Sequence, residues 1–216
     1  MPSCLGLFGG TFDPVHAGHL RLATEMREAL GLEKVVFLPA GQPWQRPGGP
    51  VATSAHRAEM LRLALASEPA FQLDTRELAR EGPTYTADTL AEFRREEGPR
   101  TPIVFLCGSD AITSVHTWAR WESLLGLAHF AVAGRAGDDA AAIASRLPPA
   151  FRERLRAPTA ALIEPAGAVI ALPMTPLAIS STDIRARVAS GRSARWLAPD
   201  PVLDYIHRHA LYGAPA

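Results

Sequence analysis

Six short apolar runs punctuate the chain, at residues 4–8, 34–38, 71–73, 103–107, 130–133 and 168–172. Their hydrophobicity is nearly continuous rather than alternating, the pattern of strands buried on both faces. Between them, apolar positions recur at helical spacing over residues 17–30, 54–66, 86–97 and 139–147. Strand-length runs separated by helix-length segments predict a parallel sheet covered on both faces. That is a doubly wound α/β fold of Rossmann-like type, with its ligand at the carboxyl ends of the strands. Residues 199–212 predict a packed terminal helix with Pro201 near its start and Asp200 as its cap. His207 and His209 fall on its solvated side. The chain reads as one domain, residues 1–216, in which residues 179–216 form a small C-terminal helical part.

Two loops break the alternation. Residues 40–50 (AGQPWQRPGGP) follow the second strand, at the edge where ligands bind, so Trp44 and Arg46 are candidate contacts. Residues 148–165 hold a predicted short helix at 150–155 and no identifiable chemistry.

Composition narrows the function class. With 216 residues, 47% of them hydrophobic, the chain is long enough for a substantial core and too apolar to be disordered. No apolar run approaches the ~20 residues of a membrane span. The 22 basic and 22 acidic residues cancel, so no broad basic surface for nucleic acid or anionic membrane is expected, and phosphate recognition has to be local. Lys34 is the only lysine; arginine supplies the remaining side-chain cations and suits forked contacts to phosphate or carboxylate. Cys4 and Cys107 lie inside apolar runs and read as buried, reduced thiols. No secretory leader is visible, which makes the expected location cytoplasmic. No feature specifies an oligomer.

The densest chemistry is Gly9-Gly10-Thr11-Phe12-Asp13-Pro14-Val15-His16-Ala17-Gly18-His19, running from the first strand into the first helix. Glycines admit close approach of a ligand to the backbone, and a helix start offers unpaired N–H groups to an anion. His16 and His19, three apart at that start, share a face and can point at one phosphate. A plain strand–turn–helix junction leaves the glycines and the histidine pair unexplained together. Zinc finds no carboxylate or thiolate at ligand spacing nearby. The stretch is neither a dinucleotide fingerprint nor a Walker A loop, so a phosphate-binding junction of another kind is favoured.

A second cluster, Ile179-Ser180-Ser181-Thr182-Asp183-Ile184-Arg185, opens a helix with a predicted capping box from Ser180 to Asp183. Its hydroxyls, helix start and Arg185 form a second polyphosphate candidate. Two anion sites suit a nucleoside triphosphate.

GGTFDPVHAGH and ISSTDIR closely resemble the two signatures of the nucleotidyltransferases with paired active-site histidines. Within that superfamily the chain resembles the bacterial nicotinate-nucleotide adenylyltransferases. The likeness extends to GPTYTADTL (82–90), Gly108-Ser109-Asp110, Thr117-Trp118 and the closing segment 199–212. His16 stands where pantetheine-phosphate adenylyltransferases would carry Thr.

The resemblance implies adenylyl transfer from ATP to nicotinate mononucleotide, with magnesium carried in on ATP and held by phosphate oxygens and water. It implies catalytic roles for His16, His19 and Arg185, and nucleotide contacts from Gly9, Gly10, Thr11 and Phe12. Gly108 and Asp110 would hold the adenosine portion, and Ile179, Ser180, Thr182 and Arg185 would close around adenine and triphosphate. Thr86, Ala87 and Trp118 would hold the pyridine mononucleotide, Trp118 stacking on its ring. No metal-ligand set is implied.

Two departures stand out. The loop reads Pro43-Trp44-Gln45-Arg46 where the family often has His followed by a cation, and Ala119 replaces a common aromatic. Alternatives at this stage are the same chemistry on nicotinamide mononucleotide, phosphopantetheine, or CTP with a polyol phosphate, and a nucleotide-binding regulator without catalysis.

Overall fold

The computed structural model describes residues 4–43, 49–134, 138–175 and 177–214. Its strands are β1 (Leu5–Gly10), β2 (Lys34–Pro39), β3 (Gln42–Pro43), β4 (Phe71–Leu73), β5 (Pro83–Thr84), β6 (Ile103–Gly108), β7 (His129–Ala133) and β8 (Val169–Leu172). The longer helices of the first half are α1 (Ala17–Leu30), α2 (Ser54–Leu65) and α3 (Thr86–Glu97). Three short ones follow, α4 (Ser109–Thr113), α5 (Leu124–Leu127) and α6 (Ala140–Arg146). The single turn α7 (Pro149–Arg152), then α8 (Ser181–Ala189) and α9 (Asp200–Arg208), complete the set.

Six strands form one sheet in the order β4-β2-β1-β6-β7-β8. The pairs β1–β6, β6–β7 and β7–β8 are parallel, with Leu5 opposite Ile103 and Phe8 opposite Leu106 in the central pair. Counting only these six strands in chain order, the sheet runs 3-2-1-4-5-6. Its winding therefore reverses between β1 and β6, where doubly wound sheets open a crevice at the carboxyl ends of the strands. Gly9, near the end of β1, and Gly108, at the end of β6, lie at that edge.

The chain divides into two compact units. One comprises Met1–Gly9, Leu22–Val36 and Tyr85–Pro176, and the other Gly10–Arg21, Phe37–Thr84 and Leu177–Ala216. In the first, Phe105 packs on Phe130 and Phe130 on Phe151, with ring centroids 5.3 Å apart in each pair. In the second, Phe37 lies between Phe12 and Phe71, at 5.7 and 5.3 Å. Cys4 and Cys107 are buried free thiols, and burial pushes them up to about 11 and about 12. No helix among the described residues is long and apolar enough to cross a membrane.

The elements follow the hydrophobic pattern, with local differences that have physical causes. The two-residue strands β3 and β5 pair in parallel as a separate ribbon, too short to show any periodicity. The short helix expected at 150–155 is the turn Pro149–Arg152, entered through its proline. The terminal helix stops at Arg208 instead of reaching residue 212, because Ala210 and Tyr212 take left-handed φ values of 47° and 58°. Asp200 is the first residue of α9 and makes no cap bond; its charge faces the positive helix end instead.

Arg94 ties the amino-terminal edge of the first unit together. Its guanidinium donates to the carbonyls of Leu127 (2.8 Å), Gly98 (3.0 Å), Thr101 (2.6 Å) and Pro165 (2.8 Å). Arg94→Met strands several of these acceptors and is expected to lower stability by about 3 kcal/mol. Equilibrium urea unfolding checks this, and an unchanged midpoint would contradict it.

Candidate active site

Apart from Gly9, which belongs to the first unit, the second unit carries both signature segments. His16 is the residue before α1, and the two histidines cap that helix reciprocally. The His19 N–H donates to His16 Nδ1 (3.4 Å), and the His16 N–H donates to His19 Nδ1 (3.3 Å). This is the topology of a capping box, with imidazole nitrogens in the places usually taken by a hydroxyl and a carboxylate. Because each Nδ1 accepts, a neutral ring must carry its proton on Nε2. The rings stack with centroids 3.7 Å apart at 25°. Burial lowers His16 to about 4; burial, then the neighbouring His16, holds His19 well below the ordinary imidazole range. The pair is therefore two neutral imidazoles rather than two cations.

Neighbouring residues leave the pair little freedom. Phe12 is buried, adopts a left-handed φ of 49°, and meets the edge of His19 at 5.0 Å. A β-carbon on Gly18 would sit 3.1 Å from the His16 ring and 3.8 Å from Ile179, so the small residue between the histidines preserves their stacking. One on Gly10 would meet the Phe12 ring at 2.9 Å.

Between Phe12 and His16 lies Asp13, fully buried. Its carboxylate accepts from the N–H groups of Val51 (2.7 Å) and Ala52 (3.1 Å) and from the Tyr212 hydroxyl (2.8 Å). Burial, then the adjacent carboxylate, raises the Tyr212 phenol, so it stays a donor. The main-chain carbonyls here are also engaged: Arg185 Nη1 donates to Asp13 (2.7 Å) and the Ser181 hydroxyl to Pro14 (2.9 Å). The start of α8 is thereby pinned to the loop that leads into the histidines. Arg185 Nη2 also donates to the Thr182 hydroxyl (3.2 Å). Arg57, likewise buried, donates to the Thr11 carbonyl (2.9 Å).

Ser180 caps α8, accepting from the Asp183 N–H at 3.1 Å. The return half of the expected capping box is not made. Asp183 instead pairs with Arg187 one turn later, at 2.8 Å, where its carboxylate gains a cation.

The first unit holds the remaining candidates. Gly108 precedes α4, and a β-carbon there would meet open space; Asp110 is exposed on the first turn. Thr86 and Ala87 are the first two residues of α3, whose helix geometry leaves their N–H groups without intrahelical partners. Trp118 is 9% exposed and stands edge-on to Phe105 at 6.2 Å. Its indole N–H is buried with no hydrogen-bond partner, as is the Ser109 hydroxyl. Such orphaned polar atoms are uncommon in native proteins and call for an explanation. Trp44, Gln45 and Arg46 lie outside the described residues.

Sequence inspection passed over Asp13, Arg57 and Tyr212. Asp13 had a local signal, a carboxylate inside the glycine–histidine segment, whereas the others act through distant contacts. Among the described residues, no group of three or more His, Cys, Asp or Glu is placed to hold a metal ion. Neutral imidazoles, a guanidinium and helix starts are groups whose chemistry suits an oxyanion.

The cytidylyltransferase-like family profile matches residues 7–187. A protein named as a probable nicotinate-nucleotide adenylyltransferase, from Dechloromonas aromatica (strain RCB), is 48% identical over 215 residues, covering 98% of this chain and 99% of the relative. A relative of the same name from Laribacter hongkongensis (strain HLHK9) is 48% identical over 212 residues, covering 96% and 94%. Among solved structures, Plasmodium falciparum nicotinic acid mononucleotide adenylyltransferase complexed with NaAD matches with a TM-score of 0.75 and 18% identity. That match covers 99% of this chain and 98% of the other, a likeness of fold.

The reciprocal cap makes a spectroscopic prediction. At pH 7, imidazole nitrogen shifts are expected to show both rings protonated on Nε2 and bare at Nδ1, with His16 titrating near about 4. Because the folded value lies below the unfolded one, the associated stability is complete above about 6.5 and is lost as pH falls toward 4. A proton on either Nδ1, or His16 titrating between pH 6 and 7, would contradict the cap.

Proposed function

The chain belongs to the cytidylyltransferase-like family and, within it, to the nicotinate-nucleotide adenylyltransferases, and we propose from that membership that it transfers AMP from ATP to nicotinate mononucleotide. The products are nicotinate adenine dinucleotide and pyrophosphate, a step of NAD biosynthesis. One observation carries the assignment: the His16–His19 cap uses both Nδ1 atoms, which leaves each neutral ring its proton on Nε2, in the unit where Arg185 is tied to the same loop.

An oxygen of the acceptor's 5′-phosphate forms a bond to the α-phosphorus of ATP. The bond from that phosphorus to the bridging oxygen breaks, and pyrophosphate leaves with the electron pair. The attacking phosphate is already anionic, so no base has to remove a proton. Catalysis then consists of positioning and of stabilising charge on the phosphoryl and leaving oxygens. His16 and His19 donate Nε2–H to phosphate oxygens, Arg185 supplies full positive charge, and the start of α8 adds its N–H groups. Gly9, Gly10, Thr11 and Phe12 line the nucleotide, and Ile179, Ser180 and Thr182 contribute at α8. ATP is used as its magnesium complex, the cation held on phosphate oxygens and water as a hard ion prefers.

Gly108 and Asp110 take the adenosine portion, and Thr86, Ala87 and Trp118 the pyridine mononucleotide. The unpartnered Trp118 indole N–H and the open start of α3 support a polar, anionic ligand in the first unit. Trp44 and Arg46 are assigned to the acceptor from the sequence. The two compact units serve one nucleotidyltransferase domain, since the family match runs through segments of both. The buried thiols suit a reducing cytoplasm.

Pyrophosphate release with magnesium, ATP and nicotinate mononucleotide tests this directly, with nicotinamide mononucleotide and phosphopantetheine as competing acceptors. His19→Ala is expected to lower kcat by about 10²–10³-fold, the usual cost of one well-placed oxyanion donor. Preference for another acceptor, or a folded His19→Ala enzyme with near-normal turnover, would overturn the assignment.

A further inference from the structure

Two residues beyond Trp118, Arg120 holds a left-handed φ of 56° that side-chain-bearing residues rarely adopt. Its carbonyl accepts from the Ser123 N–H (2.9 Å) and hydroxyl (2.7 Å), which fixes this turn. The guanidinium reaches back to Asp88, with Nη2 2.6 Å from the carboxylate, and lies 5.7 Å from the centre of the Tyr85 ring. Tyr85 is the residue before α3, and its carbonyl takes the N–H groups of Asp88 (3.1 Å) and Thr89 (3.3 Å). The donors left at the helix start are those of Thr86 and Ala87. The Arg120–Asp88 pair thus links the two segments assigned to the pyridine, and the orphaned Trp118 indole N–H lies on one of them.

Both partners are about half exposed, so the pair adds little to stability. Its electrostatic consequence is larger. Asp88 in the first turn is favourable for the helix itself, because a negative charge complements the positive end. The same charge opposes any anion approaching Thr86 and Ala87. A guanidinium on Asp88 cancels that opposition.

We propose that Arg120 is a specificity-determining residue: by neutralising Asp88 at the start of α3, it keeps this helix end attractive to an anionic pyridine carboxylate over a neutral amide. The inference rests on the assignment of Thr86, Ala87 and Trp118 to the pyridine nucleotide. Arg120 thereby favours the anionic substrate without touching it, acting through Asp88 and the helix.

The test compares kcat/KM for nicotinate and nicotinamide mononucleotides in the wild type, Arg120→Gln, Arg120→Lys and the double variant Arg120→Gln/Asp88→Asn. Arg120→Gln is expected to lower the nicotinate-to-nicotinamide ratio about 3- to 10-fold, through KM for the nicotinate substrate, with kcat nearly unchanged. Arg120→Lys keeps the charge and the ratio. The double variant, having lost the uncompensated carboxylate as well, recovers the wild-type ratio to within about twofold. A purely mechanical link would leave the double variant as impaired as Arg120→Gln, and that result overturns the proposal, as does an unchanged ratio in Arg120→Gln. A wild type without preference for the nicotinate substrate would instead overturn the assignment beneath it.

Discussion

The backbone N–H of His16 donates to the His19 imidazole, and that of His19 is shared between the His16 imidazole and the His16 carbonyl. Much of the chemistry follows from this exchange. A helix start normally leaves such donors for a hydroxyl, water or ligand. Spending both Nδ1 atoms there leaves each neutral ring with its proton on Nε2, and stacking at 3.7 Å makes simultaneous protonation costly. The pair is therefore a fixed source of neutral donors. Under the proposed function Arg185 adds full positive charge, in a chain whose 22 basic and 22 acidic residues cancel.

Asp13 keeps this arrangement in place. Its buried carboxylate draws on two backbone N–H groups ahead of α2 and on the hydroxyl of Tyr212, near the far end of the chain. A buried carboxylate without partners would be severely destabilising, so these donors are required for the loop to hold its shape. The loop's carbonyls are then left to orient Arg185 and Ser181. One buried ion thus couples the histidine segment, the α8 segment and the terminal turn inside a single unit.

Local chemistry was legible in the amino-acid sequence; distant partnership was not. Continuous apolar runs marked the six strands of the main sheet, since burial on both faces erases alternation. Ser180 could be read as a cap because the N–H it accepts from is three residues away. Its Asp183 was misread, because two local partners compete and the cation at Arg187 wins. Tyr212 meets Asp13 across 199 positions, and Arg120 finds Asp88 across β6 and α4; neither separation leaves a periodic trace. The ribbon of β3 and β5 was invisible for a simpler reason, having two residues per strand.

The histidine cap also restricts how phosphorus can move. An imidazole with Nδ1 turned to the backbone and a proton on Nε2 has no lone pair to offer the α-phosphorus, so a covalent adenylyl–histidine intermediate is disfavoured. Transfer should be a single in-line displacement by the acceptor phosphate. The direct measurement is the stereochemical course with ATP made chiral at its α-phosphorus by sulfur substitution, read from the dinucleotide product by phosphorus NMR. Inversion of configuration is expected. Retention would require two displacements through an enzyme-bound adenylate, and would contradict the assignment of His16 and His19 as neutral donors.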